Sequence, residues 1–429
     1  MRPLFQSLSG LTTRGRCLLA AGLALGVCAV LLGQRDLLRA AIFLLTLPLA
    51  AVAVVVRTRY RLSCSRLLDP PRVEAGMPCV VRLRLDNVSR LPSGVLLMED
   101  ALPYVLGGRP RFVLDKVEPQ GLREVSYPVR SDARGRYRIG PLSVRLTDPF
   151  GLCELTRSFA TTEDLVVTPR VTPLPAVRLG GDWAGGGDAA ARSVASAGSD
   201  DAATREYRHG DDLRKVHWRS TARVGELMVR REEQPFQSRA TLLLDGRGGA
   251  HRGDGPDASY EWAVAAAASI AVALARGGFG LRLIGDTGLD LVPGGQAHTE
   301  GVLLDCLAGV QPSSQASLES AAERLRRTGV DGVLVAVLGR LSADDAERLA
   351  RLRHGAAACV AVLLETDTWA PGGTRAREST HAVYDASAQL LLGSGWKVLR
   401  VPRGTSLASL WPLAGGRGQA YRTAAEVPA

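Results

Sequence analysis

Two long apolar runs near the start of the chain constrain its fold more than any other feature. The first, Cys17–Gly33, is apolar throughout but a little short for a membrane-spanning helix, which needs about 20 residues. The second, Leu37–Val56, has membrane length, and its one charge, Arg39, lies near its start, where a long side chain can reach the interface. The sequence therefore predicts a transmembrane helical hairpin over residues 17–56. The alternative is a hydrophobic hairpin packed inside a soluble fold.

The arginines that flank this hairpin predict its orientation. Three arginines lie in residues 1–16 and four in residues 57–66, whereas only Arg35 and Arg39 lie near the turn. The positive-inside rule places the more basic flanks in the cytoplasm. We therefore expect a two-pass protein of the cell membrane with both termini and the soluble domains in the cytoplasm. A cleaved signal peptide fits less well, because no small-residue cleavage site precedes a polar mature start and the second apolar run follows at once.

The chain is basic, with a formal net charge of +10 at pH 7. A basic balance is compatible with nucleic-acid or anionic-lipid binding. No basic run is interleaved with aromatic residues as a nucleic-acid site would require, so we expect no nucleic-acid partner and keep binding through the arginine excess as a third alternative function. The seven cysteines are scattered without a CxxC pair, which favours a reduced environment over a disulfide framework.

Residues 60–172 follow a β pattern. Short runs alternate apolar with polar residues, as half-buried strands do, and Pro, Gly, Asn and Asp residues separate them. This spacing predicts a small antiparallel β-sandwich. The predicted strands are 80–86, 94–99, 111–114, 123–129 and 142–146. Two further motifs, Gly135–Pro141 and Asp148–Leu152, resemble the entry to a strand and the turn after it, and we interpret them as turn chemistry without a further function.

The rest of the chain predicts an α/β domain after a linker. Residues 173–203 are rich in Gly, Ala, Ser and Asp and read as a flexible linker, and residues 415–429 as a flexible tail. Between them, in residues 204–414, apolar strands alternate with helices, which predicts a doubly wound, mostly parallel sheet with helices on both faces. The predicted strands are 239–245, 280–286, 330–338, 357–364 and 396–401, and the predicted helices are 258–276, 300–308, 315–327, 342–353, 386–392 and 406–411.

The segment Arg205–Glu233 is the most charge-dense part of the chain. Asp211 or Asp212 can cap a helix that runs to about Arg223. On that helix a stripe forms from residues spaced by three and four positions, and two further candidates lie upstream of it. The stripe is Asp211, Arg214, Trp218 and Thr221, and the upstream residues are Arg205 and Tyr207. One reading is a partner-binding surface; the other is a buried ion-pair and aromatic network that locks the linker end onto the α/β domain.

The sequence carries no recognisable catalytic constellation. It lacks a GxSxG elbow, a Walker A motif, an HExxH motif and a GxGxxG motif after a strand. Ser220, His217 and Asp211 are close in sequence but lack the strand-borne partners of a hydrolase triad. We therefore predict no catalytic residues, no cofactor and no enzymatic activity.

The same charge-dense segment resembles the signature of a known bacterial family. The matching residues are Arg205, Tyr207, Gly210, Asp211, Arg214, Trp218, Thr221 and Arg223. This pattern resembles the proteins with domain of unknown function 58 (DUF58), and residues 134–137 and 148–152 resemble the upstream segment of that family. The resemblance implies two N-terminal spans, a β domain and a von Willebrand A-like α/β region. It also implies two partners, a MoxR-type AAA+ ATPase and a transglutaminase-like membrane protein.

A von Willebrand A-like region can bind a divalent metal ion at the end of its first strand. Such a domain would place an Asp-x-Ser-x-Ser run at the end of its first strand, because a hard divalent cation needs several oxygen ligands. Here Asp245 is followed by Arg247 and Gly249 at the two hydroxyl positions. An arginine beside the aspartate would repel a cation and neutralise the carboxylate. We therefore predict that Asp245 is a degenerate metal-site position without a bound metal.

These features together predict a membrane-anchored, non-enzymatic adaptor or assembly factor. It would work with a MoxR-type AAA+ ATPase in cell-envelope maintenance, with the lipid bilayer as a further partner. The alternative is an envelope-directed enzyme, or a transglutaminase-associated enzyme subunit, with an active site that no motif reveals.

Overall fold

The structure is a computed structural model that divides into two compact units, residues 1–169 and 170–429. The structure describes residues 10–59, 62–90, 92–93, 95–148, 150–177, 179, 204–206, 216, 218–230, 239–287, 290–292, 299–330, 332–355, 358–370 and 374–415.

A helical hairpin opens the first unit and confirms the two predicted apolar helices. Helix α1 spans Thr13–Leu32 and helix α2 spans Arg35–Arg59. The Thr12 hydroxyl accepts a hydrogen bond from the Gly15 amide at 3.3 Å, which starts α1 four residues before the predicted run. Gly33 ends α1 in the left-handed region, with φ 65°. Both helices are long and apolar enough to cross a membrane.

Small residues of α1 let the two helices approach closely. A Cβ placed on Gly22 would lie 2.9 Å from the Leu45 side chain of α2, and Ala29 and Ala41 are buried. The opposite surfaces of the helices remain exposed and apolar. Their large exposed side chains are Leu23, Val27, Val30, Leu31, Leu32, Leu38, Ile42, Phe43 and Leu49.

In the described residues of the first unit, ten strands follow the hairpin. They are β1 Leu62–Asp69, β2 Arg72–Glu74, β3 Pro78–Asn87, β4 Val95–Asp100, β5 Arg111–Leu114, β6 Leu122–Arg130, β7 Gly135–Ile139, β8 Leu142–Thr147, β9 Glu154–Phe159 and β10 Glu163–Thr168. They form three sheets with the orders β1-β3-β6, β2-β10-β7 and β5-β4-β8-β9. Among the described strand pairs of this unit, β2–β10 is parallel and the others are antiparallel. The antiparallel β region is thus confirmed.

The sequence missed β1 because a charged residue points inward there. Arg66 of β1 is buried, which breaks the alternation of apolar and polar residues that identifies a half-buried strand. Its guanidinium lies 2.5 Å from the buried Asp100 carboxylate of β4 and donates to the Thr161 carbonyl at 2.8 Å. The Tyr127 hydroxyl of β6 donates to the other Asp100 oxygen at 2.5 Å. Burial, and then this hydrogen bond, raise the pKa of Tyr127.

The turn after β8 binds the start of α1. The Thr12 amide donates to the Leu152 carbonyl at 3.0 Å, and the Thr12 hydroxyl donates to the Gly151 carbonyl at 2.7 Å. Gly15 packs so closely that a Cβ there would lie 2.3 Å from the Leu152 oxygen. The Asp148–Leu152 motif therefore does more than reverse the chain: it fastens the beginning of the first helix to the β region.

The second unit contains a six-stranded sheet. Its order is β15-β14-β13-β16-β17-β18, with β15 as an antiparallel edge and the other pairs parallel. These strands are β13 Arg239–Leu244, β14 Gly280–Gly285, β15 Asp290–Leu291, β16 Val333–Leu338, β17 Ala358–Leu364 and β18 Lys397–Val401. A separate pair is β11 Thr204–Glu206 with β12 Met228–Arg230. The helices are α3 Trp218–Val224, α4 Ser259–Arg276, α5 Thr299–Gly309, α6 Glu319–Thr328, α7 Ala343–Arg351, α8 Thr374–Gly393 and α9 Leu407–Leu410.

Alternate strand residues enter two different cores, which places helices on both faces of this sheet. Leu242 and Leu244 pack with α4, α5 and α9, whereas Leu243 packs with α6, α7 and α8. The five predicted strands are confirmed, and β15 was missed because two residues leave no periodic signal. Helix α8 begins earlier than predicted, at Thr374. Ser342 caps α7 as expected, accepting from the Asp345 amide.

The first residues of the predicted linker pack onto the second unit. Leu174, Val177 and Leu179 contact its core, and the Thr172 amide donates to the Ser269 hydroxyl at 2.9 Å. The remainder of the predicted linker, 180–203, and nearly all of the predicted tail, 416–429, lie outside the described residues.

We predict that Gly15→Ala loosens the attachment of α1 to the β region. The added Cβ meets a backbone oxygen, which cannot move aside as a flexible side chain can. Gly26→Ala is the matched control, because its Cβ would lie 3.8 Å from that of Ala41, an ordinary contact. Limited proteolysis and thermal unfolding of the full chain in detergent compare the two. Equal behaviour of both variants would contradict the tight packing at Gly15.

Candidate functional site

Three buried aspartates lie at the carboxyl edge of the parallel sheet. Asp245 directly follows β13 and Asp286 directly follows β14, while Asp345 lies in the first turn of α7. The Ser313 hydroxyl donates to the Asp286 carboxylate in a short hydrogen bond. Ligand sites of open α/β sheets form at this edge, so these residues are the candidate ligand-binding or catalytic site of the second unit.

The guanidinium of Arg247 fills the space between two of these carboxylates. Its Nε and Nη2 atoms donate to the two Asp245 oxygens at 2.9 and 2.8 Å. Its Nη1 atom donates to Asp345 at 2.7 Å, and Nη2 also donates to the Arg340 carbonyl at 3.1 Å. The Gly339 amide donates to Asp245 at 3.1 Å. Asp245 is fully buried, so this bidentate pair is shielded from solvent.

This geometry places a positive charge where a cation would need oxygen ligands. Burial alone would lower the pKa of Arg247, but hydrogen bonds and charge attraction to Asp245 and Asp345 outweigh it and raise the pKa. Arg247 therefore stays charged and neutralises these carboxylates. Within the described ranges, no group of three or more His, Cys, Asp and Glu residues is arranged to hold a metal ion.

His251 stabilises the loop that follows Arg247. Its Nε2 atom lies 2.9 Å from the Asp245 carbonyl oxygen, and its Nδ1 atom lies 3.2 Å from the Ser259 hydroxyl at the start of α4. Burial lowers the pKa of His251 despite the opposing attraction of Asp245. The ring is neutral at pH 7, and because both nitrogens contact groups of the loop and of α4, its role is structural.

The structure describes only part of the charge-dense signature. The backbone of Arg205 lies in β11, opposite Val229 of β12. Trp218, Thr221 and Arg223 lie on α3. The remaining predicted site residues, Tyr207, Gly210, Asp211 and Arg214, lie outside the described residues.

The helix in this segment is shorter than predicted. It begins at Trp218, and the buried Val216 just before it is not helical. The expected helix from Asp211 or Asp212 to Arg223 is therefore interrupted at Val216, which forms a β-bridge, and is confirmed from Trp218 onward. Residues 211–215 of the predicted helix lie outside the described residues.

Two residues of the predicted stripe have different environments. The Thr221 hydroxyl accepts from the Met228 amide at 3.0 Å, and Gly225 ends the helix with φ 84°, so Thr221 fixes the return of the chain into β12. The Trp218 side chain, by contrast, is 71% exposed. Trp218 is therefore not part of a fully buried ion-pair and aromatic network, which was the second interpretation of this segment.

Residues 203–368 match the family described as protein of unknown function DUF58. The match supports the DUF58 family for this region, which is less than half of the chain and contains α3, Asp245 and Arg247.

Solved structures and curated proteins add little to the DUF58 match. The CARDB domain of the PF1109 protein from Pyrococcus furiosus shares 12% identity, with a TM-score of 0.19, over 25% of this chain and 86% of that one. The human PapD-like domain 7 of CEP192 shares 13% identity, with a TM-score of 0.17, over 25% of this chain and 84% of that one. At these values neither supports a fold or a function. No curated protein matches the chain.

Sequence reasoning did not find Asp286 or Asp345 in the DUF58 region. The cap motif Ser342-x-x-Asp345 was the available signal, because it places a carboxylate at the start of the helix after β16. Nothing local to Asp345 indicates that its partner is Arg247, which lies almost a hundred residues earlier.

We predict that Arg247→Met destabilises the DUF58 region by about 3–5 kcal/mol, since it leaves the buried Asp245 without its positive partner and Asp345 with only Arg348, at 3.5 Å. Arg276→Met is the control, because Arg276 forms an exposed ion pair with Glu300 at 3.3 Å and such pairs contribute about 0–1 kcal/mol. Denaturant unfolding of the full chain measures both. Similar midpoints for the two variants would show that the Arg247 cluster is not a structural centre.

The stability of the loop after β13, which contains Arg247 and His251, should depend on pH through His251. Its pKa is lowered in the folded state from the ordinary 6.5, so below pH 6.5 the unfolded chain binds a proton that the folded chain does not. The contribution of His251 to the free energy of unfolding is therefore fully present above pH 6.5. It falls as the pH decreases below that value, by at most about 1.4 kcal/mol per pH unit. Hydrogen exchange of β13 peptides at pH 7.5 and 5.5 measures this loss. His251→Gln should remove that part of the pH dependence, and an unchanged profile would contradict it.

Proposed function

We propose that this protein is a membrane-anchored, non-enzymatic adaptor that presents its DUF58 region to a MoxR-type AAA+ ATPase. The observation that carries the proposal is Trp218, a large aromatic residue held exposed on the signature helix α3. Tryptophan is enriched among residues that dominate binding energy, because it buries a large area on association. Val224 and Leu227, at the end of α3 and in the turn after it, are also exposed.

Membrane anchoring by α1 and α2 is the second element of the proposal. The exposed apolar surface of the hairpin is suited to lipid, and its two helices have the length of a membrane span. With the arginine-rich flanks on the cytoplasmic side, both termini, the β region and the second unit lie in the cytoplasm of a two-pass protein. A cytosolic ATPase then has direct access to the DUF58 region.

The second unit is proposed to be von Willebrand A-like. Its strand order, with β13 and β16 in the centre and helices on both faces, supports this assignment. The β region of the first unit is proposed to be a β-sandwich, which its largely antiparallel sheets and shared core support.

The absence of enzymatic activity is proposed from the chemistry of the sheet edge. Asp245 and Asp345 are paired with Arg247 and buried, so neither is a free base for proton transfer. A transglutaminase-like membrane protein is the proposed further partner, with cell-envelope maintenance as the shared task.

The test is binding of the full chain in detergent to a MoxR-type ATPase from the same organism. Trp218→Ala should weaken binding by about 2 kcal/mol or more, roughly thirtyfold in Kd. Tyr104→Ala is the control, because Tyr104 is an exposed aromatic of the other unit. Asp211→Ala and Arg214→Ala extend the test to the rest of the signature.

Wild-type binding by folded Trp218→Ala would contradict a role for α3 in the interface. A different outcome would favour the enzyme alternative: an activity of the purified chain that Asp211→Asn abolishes without a loss of stability.

A further inference from the structure

The length of α1 determines how close the β region must lie to a bilayer. The helix has 20 residues, which at about 1.5 Å per residue span roughly 30 Å. The hydrocarbon core of a bilayer is also about 30 Å thick. If α1 crosses the membrane, it has no spare length with which to separate a domain attached at its first turn from the membrane surface.

The turn after β8 is attached at that first turn. Thr12 makes two hydrogen bonds to it, through the Leu152 and Gly151 carbonyls. The Glu154 amide also donates to the Gly10 carbonyl at 2.8 Å, which extends the attachment along β9. The turn therefore lies at the depth where α1 enters the apolar layer.

This turn carries an exposed aromatic residue on a rigid frame. Phe150 is 63% exposed. The buried Asp148 carboxylate accepts from the Phe150 amide at 3.0 Å and from the Cys153 amide at 2.6 Å, which fixes the turn and removes the acidic group from its surface. The position of a Cβ on Gly151, the next residue, is 3.9 Å from the Arg14 guanidinium, so a cation lies near the backbone of this turn.

Lipid is the occupant that suits the surface around Phe150. An exposed apolar ring lies in a turn that also has an arginine close to its backbone, at the depth where the helix enters the bilayer. In the headgroup region apolar side chains reach the acyl chains and arginine faces phosphate. We infer that residues 150–153 of this turn lie in the lipid headgroup layer and that Phe150 inserts there as a second membrane contact. This inference rests on the proposed membrane anchoring.

The strand register supplies an internal control at the opposite end of the same sheet. Val95 of β4 pairs with Thr147, next to the turn, whereas Asp100 pairs with Leu142 at the far end of β8. Tyr104 follows Asp100 and is 92% exposed. A six-residue strand is about 20 Å long, so Tyr104 lies at the end of the sheet that is remote from Phe150 and from the attachment to α1.

The experiment replaces Phe150 or Tyr104 with the photocrosslinker p-benzoylphenylalanine. Both positions are exposed aromatic sites, so each replacement is conservative, and thermal unfolding checks that each variant is folded. The full chain is reconstituted into vesicles of phosphatidylcholine and phosphatidylglycerol and irradiated. Mass spectrometry then measures lipid adducts, which we expect at position 150 and not at position 104.

Carbonate extraction of the same vesicles separates the two proposals. If the protein is extracted, membrane anchoring itself fails. If it stays in the membrane but position 150 forms no more lipid adduct than position 104, the anchor stands and the Phe150 contact is wrong. Crosslinking of position 150 to protein in place of lipid also overturns the inference.

Discussion

The carboxyl edge of the sheet in the second unit depends on the buried guanidinium of Arg247. Removing a charge from water costs several kcal/mol, and that cost is offset only when every donor finds an acceptor in good geometry. Arg247 binds Asp245 on both oxygens, Asp345, and the Arg340 carbonyl, with a longer contact of 3.5 Å to the Ala316 carbonyl. It thereby ties the end of the central strand β13 to the start of α7 and to the loop after β16. The shape of the carboxyl edge follows from these contacts.

The β region uses the same type of interaction in another context. Arg66 and Asp100 form a buried pair that Tyr127 completes, and the three residues come from β1, β4 and β6. Because β4 belongs to a different sheet from β1 and β6, the pair joins two sheets through charge as well as through apolar packing. Breaking such a pair is costly because one charge stays buried alone.

The helical hairpin is attached directly to the β region of the first unit. Backbone and hydroxyl groups of Thr12 bind the turn after β8, and the lack of a side chain at Gly15 permits the close approach. A domain held this way has little freedom to move away from the helix that carries it. In the proposed membrane setting, the β region would lie at the bilayer surface while the DUF58 region presents Trp218 to a soluble partner.

The sequence by itself determined the periodic elements: both apolar helices, most long strands, and the helices on both faces of the parallel sheet. Hydrophobic periodicity is local and survives without knowledge of neighbours. It also indicated that Arg247 would stand beside Asp245, two residues away. Only the tertiary structure decided that Asp345 shares this guanidinium, that Arg66 is buried, and that α3 begins at Trp218. Each of these depends on partners distant in sequence, and a buried charge carries no local signal of the opposite charge that will compensate it.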